Sequence, residues 1–248
     1  MKIGFGKLLV VCAVMNVVLA ATEVRAGYST GFEEPTFSLG NVNGQDGWLA
    51  QLSPPLRGPV IIQNTTVASG KQALEIQATG PLSRLTTFAQ QNLNLGSGGK
   101  TVRAEFDFLY HGSLQTGFSA FGDTGYVGQL STVGGKFFLG NSSSSVFSGA
   151  SANGVWYRLT MDMNFAAQTI EGFVDGTSIG SLAMNPPSPA NNFIGFQFVS
   201  YNSGGATQKA YFDNFSIKVI PEPSSFTLAG LGGIFLVISA FRRRQRVM

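Results

Sequence analysis

Glu105 and Asp107 stand two positions apart, and in an extended chain that spacing puts both carboxylates on one face of a strand. Glycoside hydrolysis needs two carboxyl groups facing one sugar bond, roughly 5–9.5 Å apart. The next position on that face is Leu109, and Arg103 shares the face as a counter-ion, so a solvated, charge-paired strand surface competes with a catalytic pair. His111 is the only histidine, which argues against a metal centre built on several imidazoles. No Gly-x-Ser-x-Gly elbow leads into a helix, so nucleophilic catalysis has no support, and His111 beside Gly112 reads as a polar residue at a strand end. Carbohydrate binding asks instead for ring faces that stack on sugar C–H groups, with amides or hydroxyls nearby. Trp48, Tyr110, Tyr126, Trp156 and Tyr201 are the aromatic candidates, and Trp48, between Gly47 and a proline-rich segment, reads as a loop platform.

The elements that must position these residues are strands. Over Thr101–Tyr110, Val102, Ala104, Phe106, Phe108 and Tyr110 share one face, and Arg103, Glu105 and Asp107 the other. Trp156–Met163 and Gln72–Ala78 alternate in the same way, and Phe193–Tyr201 is apolar on both faces, as in a strand central to a two-layer packing. In the last strand Tyr211, Phe215, Ile217 and Val219 are expected on one face, with Asp213 the polar exception. Asp175-Gly176 predicts a two-residue type I′ hairpin turn, because both positions require positive φ. Asn164–Ala167 predicts the turn before it, and Gly96–Gly99, Gly134-Gly135, Ser142–Ser145, Pro186–Pro189 and Ser203–Gly205 read as loops. No stretch between Gly27 and Ile220 has a convincing helical period. About a dozen short strands in one domain predict an all-β, antiparallel jelly-roll sandwich whose facing sheets absorb most of the phenylalanines.

Charge and cysteine usage narrow the function. The net charge of +3 resides at the ends: between Gly27 and Ile220, nine basic residues face eleven acidic ones, a net of −2. No basic patch for DNA or RNA remains. Residues 1–26 read as a secretory signal peptide, with Lys2 and Lys7 before the apolar run Leu8–Ala21 and cleavage after Ala26, or near Ala20 or Ala21. An uncleaved anchor is the alternative, although the run is short for a membrane span. The only cysteine, Cys12, lies in this segment, so the mature chain is expected to have neither disulfide nor thiol chemistry.

Beyond residue 219 the composition changes. Pro221, Glu222 and Pro223 interrupt the strand, an uncharged run extends from Ser224 to Phe241, and Arg242, Arg243, Arg244 and Arg246 close the chain. These parts, in this order, resemble the PEP-CTERM sorting signal of Gram-negative bacteria. The resemblance implies export, a transient C-terminal transmembrane helix in the inner membrane, processing by an exosortase at the Pro-Glu-Pro element, and release to the cell surface or extracellular matrix. It further implies an association with exopolysaccharide. Sixteen apolar residues from Phe226 would span about 24 Å as a helix, short of a roughly 30 Å membrane core.

The middle of the chain carries a second resemblance. Gly31-Phe32-Glu33, Gly44-Gln45-Asp46-Gly47-Trp48 and Ser69–Leu74 are similar to other PEP-CTERM ectodomains. Trp156-Tyr157-Arg158-Leu159 with Phe173-Val174-Asp175-Gly176 looks like the late hairpin of concanavalin A-like (laminin G-like) sandwiches, and Ala210–Phe215 is shared with jelly-roll carbohydrate-binding modules. This implies that Glu33, at the start of the first strand, and Asp213, in the last, could hold a structural Ca²⁺ with backbone carbonyls. Sandwich glucanases carry a Glu-x-Asp-x-Glu element, and here Leu109 stands where the third carboxylate belongs. The chain therefore reads as three parts: a signal peptide (1–26), a β-sandwich ectodomain (27–219) and a sorting segment (220–248). The expected role is non-enzymatic, in a cell envelope or polysaccharide matrix, with Trp48, Tyr110 and Trp156 as glycan-stacking candidates. A glycan-active hydrolase is the alternative.

Overall fold

Val102, Ala104, Phe106 and Phe108 are fully buried while Arg103, Glu105 and Asp107 are only partly so, and the alternation over Thr101–Tyr110 becomes one central strand, β7 (Thr101–His111). The computed structural model describes residues 27–52, 58–80, 85–93, 95, 98–112, 115–185, 190–202 and 205–220. Among them there is no α-helix, only a 3₁₀ turn at Gln45–Gly47, and no helix is long and apolar enough to cross a membrane. The signal peptide expected over residues 1–26 and the sorting residues Pro221, Glu222, Pro223, Arg242, Arg243 and Arg244 lie outside the described residues.

Two antiparallel sheets form the sandwich. In the first, β14 (Thr177–Ala183), β13 (Thr169–Val174), β12 (Tyr157–Asn164), β7, β16 (Gly205–Ile220), β5 (Ala73–Gly80), β4 (Val60–Gln63) and β2 (Gly40–Asn41) follow in that order, with β1 (Gly27–Thr30) also pairing on β16. In the second the order is β11 (Ser145–Ala150), β10 (Lys136–Gly140), β9 (Gly125–Val133), β8 (Thr116–Gly122), β15 (Phe193–Asn202), β6 (Leu85–Asn92) and β3 (Leu49–Leu52). The β13–β14 turn is as expected: Asp175 and Gly176 adopt φ of 48° and 78°, the positive values of a type I′ turn. Asn164 closes the preceding turn through its side chain, which accepts from the amides of Ala166 and Ala167.

The space between the sheets is filled by rings. Phe198 stacks on Phe212 at 4.0 Å and Phe196 meets Phe215 at 4.5 Å, joining β15 of one sheet to β16 of the other. Trp48 completes the cluster against Phe32, Phe196 and Phe198, fully buried, with its indole N–H donated to Tyr28 at 2.9 Å. Trp48 is thus a core residue, and its ring is not available to a sugar.

The last strand departs from simple alternation. Ala210 and Phe212 point to the core, and after a register shift between Asp213 and Ser216 it is Phe215, Ile217 and Val219 that do. Asn214, at φ 47°, supplies the extra residue of this β-bulge. Tyr211 and Asp213 consequently face away from the core. The expected common face of Tyr211 with Phe215 is corrected, because a bulge flips every side chain beyond it.

Candidate functional site

The nine-stranded sheet presents its charges in pairs. Arg103 makes a bidentate bond to Asp162, with both N–O distances 2.7 Å, Arg158 meets Asp107 at 3.1 Å, and Lys218 and Lys209 reach Glu105 and Glu75 at 3.3 and 3.1 Å. Each pair links neighbouring strands; the more exposed Lys218–Glu105 pair contributes about 0.5 kcal/mol, whereas Glu75 is buried beneath Lys209. Asp107 also accepts from the side-chain amide of Asn214 at 2.6 Å. The two carboxylates that could have served hydrolysis are therefore engaged with separate cations. His111 is exposed, pairs with Lys209 in the ladder, and has its ring edge against Tyr211.

Glu33 and Asp213 do converge, on one loop. Asp213 is fully buried and accepts from the amides of Ala68, Ser69 and Asn214 at 3.0, 3.1 and 2.7 Å. Glu33 accepts from Lys71 and Gln72 at 2.7 and 3.1 Å. Together they fix the segment between β4 and β5. Burial pushes the Asp213 carboxyl above the usual aspartate range, Asp107 pushes the same way, and the three amides only partly oppose this. No side-chain cation bonds to Asp213 among the described residues. The Gln72 side-chain carbonyl is buried beside this loop without a hydrogen-bond partner, and the side-chain oxygens of Asp213 and Asn214 both approach Gly31. Calcium takes about six to eight hard oxygens. This donor set fits calcium in kind, although among the described residues no cluster of three or more acidic, His or Cys side chains exists.

The outer face of the seven-stranded sheet is different in character. Leu130 and Gly128 of β9 point to the core, where Gly128 approaches Ile170 and Met161 of the other sheet, so Gln129 and Ser131 point outward. Register then aligns two rows across five strands. One runs Gln197, Ser119, Gln129, Gly140 and Ser145; the other runs Val199, Gly117, Ser131, Phe138 and Phe147. At the strand spacing the rows extend about 19 Å. Gln115 donates to the Gln129 side-chain carbonyl at 2.9 Å, leaving the Gln129 amide nitrogen without a partner. The Ser131 hydroxyl is also unpartnered, and both residues are at most 5% exposed. Buried polar groups are normally hydrogen-bonded, so these two orphans, each almost without exposed surface, stand out on neighbouring rows.

Rings border these rows. Phe138 packs edge-on against Phe147, which is half exposed, and lies over Gly140, where any Cβ would collide with it. Tyr126 packs against Phe121 one register step away, and Tyr201 follows Val199 on the same face. Burial raises the hydroxyl pKa of both tyrosines, and proximity to Tyr201 raises Tyr126 further. Neither hydroxyl is poised as a base at neutral pH. Of the other stacking candidates, Tyr110 is buried with its hydroxyl held by Ser151, and Trp156 is half-buried in the 151–156 loop. The candidate rings therefore divide: Trp48 and Tyr110 belong to packing, and Tyr126 and Tyr201 to the outer face. Sequence reasoning missed Gln129, Ser131 and Phe138, whose only local signal was a Gly- and Ser-rich alternation.

Comparisons with known proteins agree with this architecture. Residues 219–244 match the PEP-CTERM protein-sorting motif, so the chain carries the address of a protein that transits the membrane and is sorted to the cell surface. No curated relative matches its sequence. Among solved structures, the fold is similar to "Cellulose induced protein, Cip1" (TM-score 0.56, 15% identity, 77% of this chain and 96% of that one). It is also similar to an endo-β-1,4-glucuronan lyase from the fungus Trichoderma reesei (TM-score 0.55, 12% identity, 73% and 94%). A sialidase aligns with TM-score 0.60 at 16% identity over 78% of this chain, which spans only 18% of the sialidase. The described domain is an antiparallel jelly-roll β-sandwich, a fold it shares with these structures.

Proposed function

We propose that this chain is a non-enzymatic, surface-sorted protein that binds polysaccharide on the outer face of its seven-stranded sheet, as part of an exopolysaccharide-linked envelope or matrix. The observation that carries the reading is the pair of adjacent rows of Gln, Ser, Gly, Val and Phe bordered by the half-exposed Phe147 ring, with the Gln129 amide and the Ser131 hydroxyl buried and unpartnered among them. Sugar hydroxyls donate and accept, matching an orphaned amide donor and an orphaned hydroxyl, while rings such as Phe138 and Phe147 cover C–H faces. Hydrolysis is disfavoured because Glu105 and Asp107 are bound to Lys218 and Arg158. The sorting motif supports processing by an exosortase. Retention of the purified full-length chain, in mild detergent, on exopolysaccharide from the producing cells tests the reading. Ser131→Ala combined with Gln129→Ala is expected to weaken retention at least tenfold, whereas Glu105→Gln is expected to leave it unchanged. Equal retention of the double variant and the wild type would overturn it.

A second reading concerns stability. Glu33 and Asp213, with the Asn214 and Gln72 side-chain carbonyls, are proposed to hold a structural calcium ion, which would supply positive charge to a carboxylate that burial disfavours. The raised Asp213 value means that this group's contribution to stability is full below the ordinary aspartate range, about pH 4, and is lost as pH rises through the folded value. Calcium should restore it above that window. The increase in Tm on adding CaCl₂ after chelation is therefore expected to be larger at about pH 7 than at about pH 4. Identical Tm with calcium and with chelator at both values would remove calcium from the account.

A further inference from the structure

We infer that the polysaccharide taken by the outer face of the seven-stranded sheet is uncharged, an inference that rests on the glycan-binding reading above. Two solved structures of similar fold are named for uronate polymers, a glucuronan lyase and an alginate lyase. Every repeat of a polyuronate carries a carboxylate, and desolvating a carboxylate without a cationic partner is strongly unfavourable. Proteins that read such polymers therefore present Arg or Lys, whose charge-assisted bonds to carboxylate are about twice as strong as neutral ones. Here the two rows consist of Gln, Ser, Gly, Val and Phe. Among the described residues the only charged side chain on this face is Lys136, exposed at the strand end beside the Gly134-Gly135 turn. Four cations, Arg103, Arg158, Lys209 and Lys218, lie on the other sheet, each paired with a carboxylate.

The orphaned groups point the same way. The Gln129 amide nitrogen can only donate, and the Ser131 hydroxyl can donate or accept. A hydroxyl-bearing neutral chain satisfies both without bringing buried charge. A carboxylate opposite them would also meet the Gln129 carbonyl oxygen, an acceptor already bonded to Gln115.

The test is native affinity electrophoresis of the full-length chain in mild detergent, through gels containing neutral β-glucan, galactomannan, xylan, alginate or polygalacturonate, at low and at high salt. Retention by at least one neutral polymer, insensitive to salt and weakened about tenfold by Gln129→Ala, the loss expected for one buried hydrogen bond, is the supporting result. Lys136→Ala should leave it unchanged. Retention by alginate or polygalacturonate alone, lost at high salt, would overturn the ligand class and leave glycan binding standing. Salt sensitivity is also the readout for Arg57 and Arg84, which lie outside the described residues. No retention by any of the five polymers would overturn the glycan-binding reading itself. Unchanged thermal unfolding of Gln129→Ala separates a lost contact from a lost fold.

Discussion

Trp48 shows how little a residue's neighbours in sequence reveal about its surroundings. Gly47 before it and Pro54-Pro55 after it suggest an exposed loop, yet the indole contacts rings from both sheets and donates its N–H to Tyr28. Trp48→Ala should destabilise the ectodomain by about 3–5 kcal/mol through lost burial and the cavity left behind, measured by urea unfolding. A loss below about 1 kcal/mol would mean that the ring is not in the core. Asp213 is the converse case. Its carboxylate on an apolar-looking strand was visible in the sequence as an anomaly, but the loop amides it receives come from residues about 145 positions away and could not be read locally.

At the scale of elements, the alternation over Thr101–Tyr110 and the Asp175-Gly176 turn were legible because each depends on consecutive residues alone. The bulge at Asn214 was not. Asn tolerates positive φ, but so many asparagines do so in turns that a single one inside a strand carries no warning. The two outer rows were illegible for another reason. Gln197, Ser119 and Gln129 become neighbours only through cross-strand register, and β8 through β10 are so rich in Gly and Ser that their edges read as loops. Gly140 offers a local probe of those rows. Gly140→Ala would push Phe138 off its position, and weaker polysaccharide retention with little loss of stability is the expected outcome.

For the whole molecule, the sorting address and the sandwich meet without a spacer. Val219 and Ile220 pair with Val102 and Thr101 in the ladder, and Pro221 follows at once. A protease acting on the folded protein must bind an extended stretch that is free of the sheet. The mature C-terminus is therefore expected between Pro221 and Phe241, read by intact mass of the surface form. A terminus inside β16, or a form retaining Arg242 to Met248, would contradict this. Gly27 pairs with Lys218, so the first and last described residues, Gly27 and Ile220, lie at the same end of one strand pair.

β16 is sixteen residues long and is hydrogen-bonded to β7 along one edge and to β5 and then β1 along the other. A pull on whatever is joined beyond Ile220 runs along this strand rather than across it. Both ladders then resist together in shear, instead of opening one bond at a time like a zipper. Were the proposed surface protein joined to its support beyond Ile220, with polymer held on the other sheet, the load would run through the longest strand of the sandwich.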